Sequence, residues 1–184
     1  MSNKIILKPP LENKDIEKLK IGDQVLITGK IYAARDAAHK RLAALIEKDQ
    51  ELPFDIRGQI IYYVGPTPAK PGKPIGAAGP TTSYRMDPYS PLLMKKGLKA
   101  MIGKGPRSQE VIDSMIENKA VYLVSIGGAA VVTAQSIQAA KVIAYEDLGP
   151  EALQELEVEN LPVFVANDIQ GRDLFQEGVE KYKK

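Results

Sequence analysis

The chain has no cysteine and only one histidine, His39. The first absence excludes disulfides and thiolate metal ligands. The second means that histidine cannot build a zinc site here, so this chain alone offers no self-sufficient transition-metal centre. Hard cations on oxygen ligands remain open to it. No apolar run approaches the length of a membrane span and no secretory signal opens the sequence. A cytoplasmic protein is therefore expected. The net charge is only +2, without the broad basic excess of a general nucleic-acid surface. Nucleotide motifs are missing too. Gly127-Gly128 has no third glycine at dinucleotide spacing, and no Gly-Lys-Ser/Thr closes the glycine-rich segment that begins at Gly65. Neither a Ser/His/Asp order nor a paired-carboxylate motif can be recognised.

What is present begins with size: 184 residues, 44% hydrophobic and 26% charged, suit a single soluble domain (1–184) with a real core. The distinctive stretch is Gly65 to Arg107. Nine of the sixteen residues from Gly65 to Pro80 are Gly or Pro, which excludes helix and ordinary strand and predicts a long loop fixed by proline. Loops of this length in compact domains are usually functional or disordered. Between Gly65 and Arg107 eight Lys or Arg face one acid, Asp87. That is a local +7 in a chain of net +2, so the remainder carries −5. A basic, glycine-rich, hydroxyl-bearing loop suits an anionic ligand.

Around it the pattern reads as alternating strands and helices. Lys4 to Leu7 is an edge strand before Pro9-Pro10, and Glu12 to Lys20 one or two helical turns. Gln24 to Ala33 is a strand, with Thr28-Gly29 marking a bulge or bend. A helix follows to about Lys48, with Ala38, Leu42, Leu45 and Ile46 as its buried stripe. Gln59 to Val64 is a strand leading into the loop, Tyr89 to Leu98 a short helix, and Ala100 to Gly103 a strand. Ser108 caps a helix to Asn118 with Val111, Ile112, Met115 and Ile116 inward. Beyond it come a strand over Ala120 to Ile126, a helix over Ala129 to Ala140 and a strand over Lys141 to Tyr145. A short acidic helix over Glu151 to Leu156, a final hairpin over Val163 to Ala166 and the residues after Arg172, and an exposed helical tail complete the reading. The irregular alternation favours an α/β domain with a mixed sheet flanked by helices.

Arg35 and His39, four apart, share a face at a helix N-terminus. The positive end of the dipole prefers acids, which Asp36 supplies and Arg35 does not. Two readings of Arg35 stand: a solvated or salt-bridged surface residue, or a ligand-facing arginine beside helix amides that point at an anion. Arg35, Thr81, Thr82, Arg85 and Lys104 together suit a small dicarboxylate, because arginine forks match carboxylates in bidentate fashion.

AARDAAHKR (33–41), IYYVGPTPAKPGKPIGAAGPTTSYRMD (61–87) and MIGKG (101–105) resemble the β subunit, or C-terminal domain, of iron–sulfur class I fumarases and tartrate dehydratases. IGGAAVV (126–132) and DLGPEALQELEVENLPVFVANDIQGRDLF (147–175) fit the same family. The resemblance covers nearly all of the chain. It implies a swivelling β/β/α domain docked on a separate cysteine-bearing α subunit, in an αβ hetero-oligomer built as a dimer of heterodimers. The α subunit would hold a four-iron–four-sulfur cluster whose open iron takes the substrate hydroxyl and a carboxylate. It implies reversible hydration of fumarate to L-malate by a hydro-lyase active only with that subunit. Carried over by residue, Arg35, Arg85 and Lys104 bind substrate, with Gly79 and Thr82 beside them, and Thr81 is the base at C3. Asp36 and His39 support; His39 either touches substrate or, as preferred here, braces Arg35. A threonine hydroxyl is a poor base unless its alkoxide is stabilised, which Arg85 and Lys104 would do. Two other readings stay open: a tartrate dehydratase β subunit, and a non-enzymatic anion-binding or interaction module.

Overall fold

The structure is a computed structural model that describes residues 4–125, 128 and 130–183. Seven strands are present among them: β1 (Ile5–Leu7), β2 (Gln24–Ala33), β3 (Ile60–Tyr62), β4 (Ala100–Gly103), β5 (Val121–Val124), β6 (Ile137–Ala144) and β7 (Leu153–Asn167). β2, β3, β4 and β5 run parallel in that order, and β7 lies antiparallel to both β5 and β2. The sheet therefore closes on itself as a five-stranded ring. β1 extends the start of β2, and β6 pairs along the first half of β7.

Strand alternation sorts the side chains into two cores. Ile60 and Tyr62 of β3 join residues from all five ring strands in one cluster, which fills the ring with Ile27, Ile31, Ile102, Leu123, Leu156 and Val163. Ile61 and Tyr63 belong to the other, outer cluster with Leu42, Leu93, Met101, Ile112 and Met115. That outer face is covered by three helices: α2 (Asp36–Glu47), α3 (Ser90–Lys95) and α4 (Gln109–Asn118); α1 is the short Asn13–Glu17. The α4 start obeys its signal, since the Ser108 hydroxyl accepts the Val111 N–H. Among the described residues no helix is long and apolar enough to cross a membrane.

The architecture agrees with an α/β domain whose mixed sheet is flanked by helices, and the ring is an addition to it. Several elements differ from expectation. The β2 irregularity falls at Thr28-Gly29, yet the extra residue is on the partner. Ile27 and Gly29 face Leu161 and Val158, and Asn160 takes a left-handed conformation (φ 51°). That step lets Leu156 and Val158, then Leu161, Val163 and Val165, all face the ring interior. Glu151 to Leu156 is no helix: Glu146–Glu151 forms a 3-10 turn and β7 starts at Leu153. Glutamates are good helix formers, but Leu156 and Val158 alternate with outward Glu155 and Glu157, a period of two. The C-terminal hairpin is reduced to a single antiparallel bridge, Asn167 to Asp173. β7 is a single strand, and Asp173 accepts the Phe175 and Gln176 N–H groups to start α6 (Leu174–Tyr182). α5 spans only Ala130–Gln135, with 137–140 given to β6, while Ile126, Gly127 and Ala129 lie outside the described residues. His39 and Ala43 replace half-buried Leu45 in the α2 stripe, and Ile116 is 43% exposed.

Candidate functional site

The segments of interest leave the ring at one rim. Arg35 follows the carboxyl end of β2, Thr81 rests against the end of β3, and Lys104 follows β4. Antiparallel β7 begins at the same rim, with Gln154 facing Ala33. Ligands of α/β sheets favour this end of parallel strands.

The glycine–proline loop makes a closed excursion and returns to where it left. Thr67 and Ala77 pinch its base through the Thr67 N–H to the Ala77 carbonyl (3.1 Å) and the Ala77 N–H to Thr67 Oγ1 (2.8 Å). Val64 then pairs with Pro80, and the Thr81 N–H reaches the Tyr63 carbonyl at 2.6 Å. Gly79 and Thr81 are half-buried on the return. Lys70 and Lys73 ride on the exposed excursion, lining a cavity of about 530 Å³ shared with α5 and β6. The expected basic loop is thus spread out, with its lysines on the excursion and Arg85 and Lys104 after it. Arg107 is no free cation: its side chain is 0% exposed and its Nε donates to Asp87 Oδ1 at 2.7 Å.

Arg35 is the N-cap residue of α2, and Asp36 is the first helical residue. The Asp36 carboxylate divides its oxygens. Oδ1 lies 2.7 Å from Arg85 Nε and Oδ2 lies 3.4 Å from Arg35 Nε. One carboxylate therefore holds two guanidinium groups side by side. The Arg35 side chain passes over Gly65, where a Cβ would come within 2.9 Å of its Cδ and Nη1, so a side chain at this position would displace the guanidinium. The helix-end amide that would meet an anion already does so within the chain. Glu151 Oε2 accepts the Ala37 N–H at 3.2 Å, and Oε1 lies 3.4 Å from Arg35 Nη2. Arg35 is therefore ion-paired, with 23% of its side chain exposed.

His39 is completely buried, beneath the backbone of Arg35. Its Nδ1–H donates to the Arg35 carbonyl at 3.1 Å, which fixes the tautomer because a carbonyl only accepts. Nε2 has no partner among the described residues, and burial pulls the imidazole pKa down to about 4, leaving the ring neutral.

Ser83 ties the Thr81–Arg85 turn to Lys104. Its N–H donates to the Lys104 carbonyl (2.9 Å) and its Oγ accepts the Lys104 N–H (3.1 Å). Tyr122 OH donates to the Gly105 carbonyl (2.9 Å), so the 2.8 Å bond to Ser83 Oγ takes the serine proton. Burial holds the Tyr122 hydroxyl well above its ordinary pKa, and it stays protonated. Thr82 pairs with Lys104 across this junction. Sequence reasoning missed Ser83, Tyr122, Glu151 and the Arg107–Asp87 pair. Only Ser83, adjoining two flagged threonines, carried any local signal.

Residues 1–178 match the Fumarase C-terminus family. The chain belongs to that family. This Fumarase C-terminus chain is 41% identical over 182 residues to "Fumarate hydratase class I, anaerobic" of Escherichia coli (strain K12), covering 97% of itself and 33% of that protein. It is 37% identical over 166 residues to "Fumarate hydratase 1, mitochondrial" of Leishmania major, 89% of this chain and 30% of that one. It thus spans about a third of the length of these fumarate hydratases. Against "Putative L(+)-tartrate dehydratase subunit beta" of Methanocaldococcus jannaschii it is 38% identical over 181 residues, 95% of this chain and 93% of that protein.

Proposed function

We propose that this chain is the β subunit of a two-subunit iron–sulfur hydro-lyase that interconverts fumarate and L-malate. It works as one swivelling β/β/α domain against a cysteine-bearing α subunit, in a cytoplasmic αβ hetero-oligomer. The observation that carries the reading is Asp36 bonded to both Arg35 and Arg85 in a Fumarase C-terminus chain. Two guanidinium groups fixed before the ligand arrives suit a dicarboxylate, and fixing them beforehand spares ordering entropy on binding.

In this scheme Arg35, Arg85 and Lys104 hold the substrate carboxylates, with Gly79 and Thr82 shaping the contact. The Thr81 hydroxyl, as alkoxide, removes the C3 proton of malate while charge builds on the adjacent carboxylate. Arg85 and Lys104 lower the alkoxide's cost and steady that charge. The leaving hydroxyl takes its proton from the partner chain. The donor set of this chain does not fit an iron–sulfur cluster, since it has no cysteine and its described residues gather no three metal-ligating side chains. A four-iron–four-sulfur cluster is assigned to the α subunit.

A tartrate dehydratase β subunit is the second reading, favoured by the near full-length match to a relative of that name. Co-expression with the α subunit and anaerobic assay with malate, fumarate and tartrate separates the two. Turnover of none of them, with the cluster assembled, would leave an anion-binding or interaction module instead.

A further inference from the structure

We propose that Glu151 is a positioning residue that holds the Arg35 guanidinium ready for a carboxylate; this rests on the reading of Arg35 as a substrate-binding arginine. Glu151 comes from far along the chain and belongs to none of the segments that carry the other site residues. Its two oxygens reach different targets, Arg35 Nη2 at 3.4 Å and the Ala37 N–H at 3.2 Å. With Asp36 on Nε and Gly65 beneath Cδ and Nη1, the guanidinium is constrained on three sides, and Glu151 supplies the constraint that comes from farthest along the chain.

The turn that carries Glu151 is itself anchored. At its other end Asp147 accepts a two-pronged bond from Arg41 of α2, with Arg41 Nη1 to Oδ1 at 2.8 Å, and the Arg41 guanidinium lies 5.1 Å from the Tyr145 ring centre. Near Glu151, the Pro150 carbonyl stands 3.3 Å from where a Cβ on Gly65 would be. Residues 146–151 thus form an acidic strap across α2, fastened at both ends. Glu151 is placed by that strap, by Pro150 before it and by β7 just after it. A carboxylate fixed in this way does not swing aside for a ligand; it sets the arginine that meets one.

The opposing effect has a definite sign. Glu151 and Asp36 are anions beside the site, so charge alone predicts that removing Glu151 tightens dicarboxylate binding. Positioning predicts the reverse, because an unfixed arginine loses rotamer freedom when it binds.

The test uses Glu151→Ala, Glu151→Gln and, at the other end of the strap, Asp147→Asn. On the chain alone, the ¹⁵N NMR signal of Arg35 Nε–H should be sharp and slow to exchange in the parent and broadened in Glu151→Ala. In the complex with the α subunit, Glu151→Ala should raise KM for malate about tenfold, as loss of one charged hydrogen bond implies, with kcat within about twofold. Glu151→Gln keeps an acceptor for Ala37 without the charge and should fall between; Asp147→Asn weakens the strap's far anchor and should shift both readouts in the same direction, by less than Glu151→Ala. An unchanged Arg35 signal in Glu151→Ala, or a KM that stays level or falls, would overturn the proposal. Absence of turnover in the parent complex would count against the functional reading, and the NMR signal would still decide whether Glu151 fixes Arg35.

Discussion

Gly103→Ala puts the Ser83 junction to its sharpest test. The position is the last residue of β4 and its φ is not positive, so alanine meets no backbone penalty there. The obstacle is space. An added Cβ would sit 1.9 Å from Ser83 Oγ, 3.0 Å from Tyr63 Cδ2 and 3.3 Å from Ser83 Cβ. Ser83 is fully buried, so it cannot swing into solvent. If the backbones part, overpacking costs about 1–3 kcal/mol. If the serine rotates instead, the Lys104 N–H loses its acceptor and the Tyr122 hydroxyl its neighbour, at roughly 1–3 kcal/mol for each group left unpaired. A loss of about 1–3 kcal/mol follows on the first path and roughly 2–6 kcal/mol on the second, read from urea midpoints at constant m. Ser83→Ala supplies the cross-check. It removes the atom at 1.9 Å, so in that background the added methyl should cost about 1–2 kcal/mol less, a coupling expected only of neighbours in contact. A Gly103→Ala protein within about 0.5 kcal/mol of the parent, or one equally destabilised with and without the serine hydroxyl, would refute the reasoning.

His39 gives stability a pH dependence. Its folded pKa of about 4 lies below the ordinary 6.5, so the unfolded chain binds the proton first. The contribution is complete above about pH 6.5 and is lost toward pH 4, by roughly 3 kcal/mol, and His39→Phe should remove that slope in urea unfolding across the range. Asp87→Ala leaves Arg107 buried without a counter-ion and the Ser108 N–H without its acceptor, and should cost about 3–5 kcal/mol in the same assay. Arg85→Lys replaces a fork with a point charge. In the complex with the α subunit kcat/KM should fall about 10- to 100-fold with the thermal midpoint unchanged. Thr81→Val should lower kcat by about 10²–10⁴ and abolish exchange at C3 of malate, whereas Thr82→Val should move KM or stability only modestly; normal exchange in Thr81→Val would place the base on the partner chain.

Elements with one local cause were legible in the sequence. β2, β4 and α4 fall where alternation, apolar runs and the Ser108 cap put them. The region from Glu151 onward was not, because its glutamates have helix propensity while its fate is decided by pairing with β2 and β6. Ring closure had no local signature at all. The same division holds at the site. Arg35, Asp36 and Arg85 were visible as residue types and do converge, with Asp36 as the common partner. The charge count over Gly65 to Arg107 misled, since a sum along the chain takes no account of burial. Arg107 pairs inward with Asp87, and Lys99 donates to the Asn118 carbonyl at 2.7 Å. Glu151 was invisible because what makes it matter is a contact across most of the chain.

The closed sheet also sets an order of events during synthesis. β2 emerges early, but its second edge pairs only with β7, where Gln24 faces Phe164 and Ala33 faces Gln154. Until the last strand leaves the ribosome, β2 and β5 each present an open edge, a state prone to pairing with other chains. Contacts of such high sequence separation form slowly, since the chain between them must be gathered first. The strap bearing Glu151 arrives immediately ahead of β7. Arg35 therefore gains that constraint at about the moment the ring closes, and a chain truncated before β7 would carry every cation of the site yet leave them unassembled.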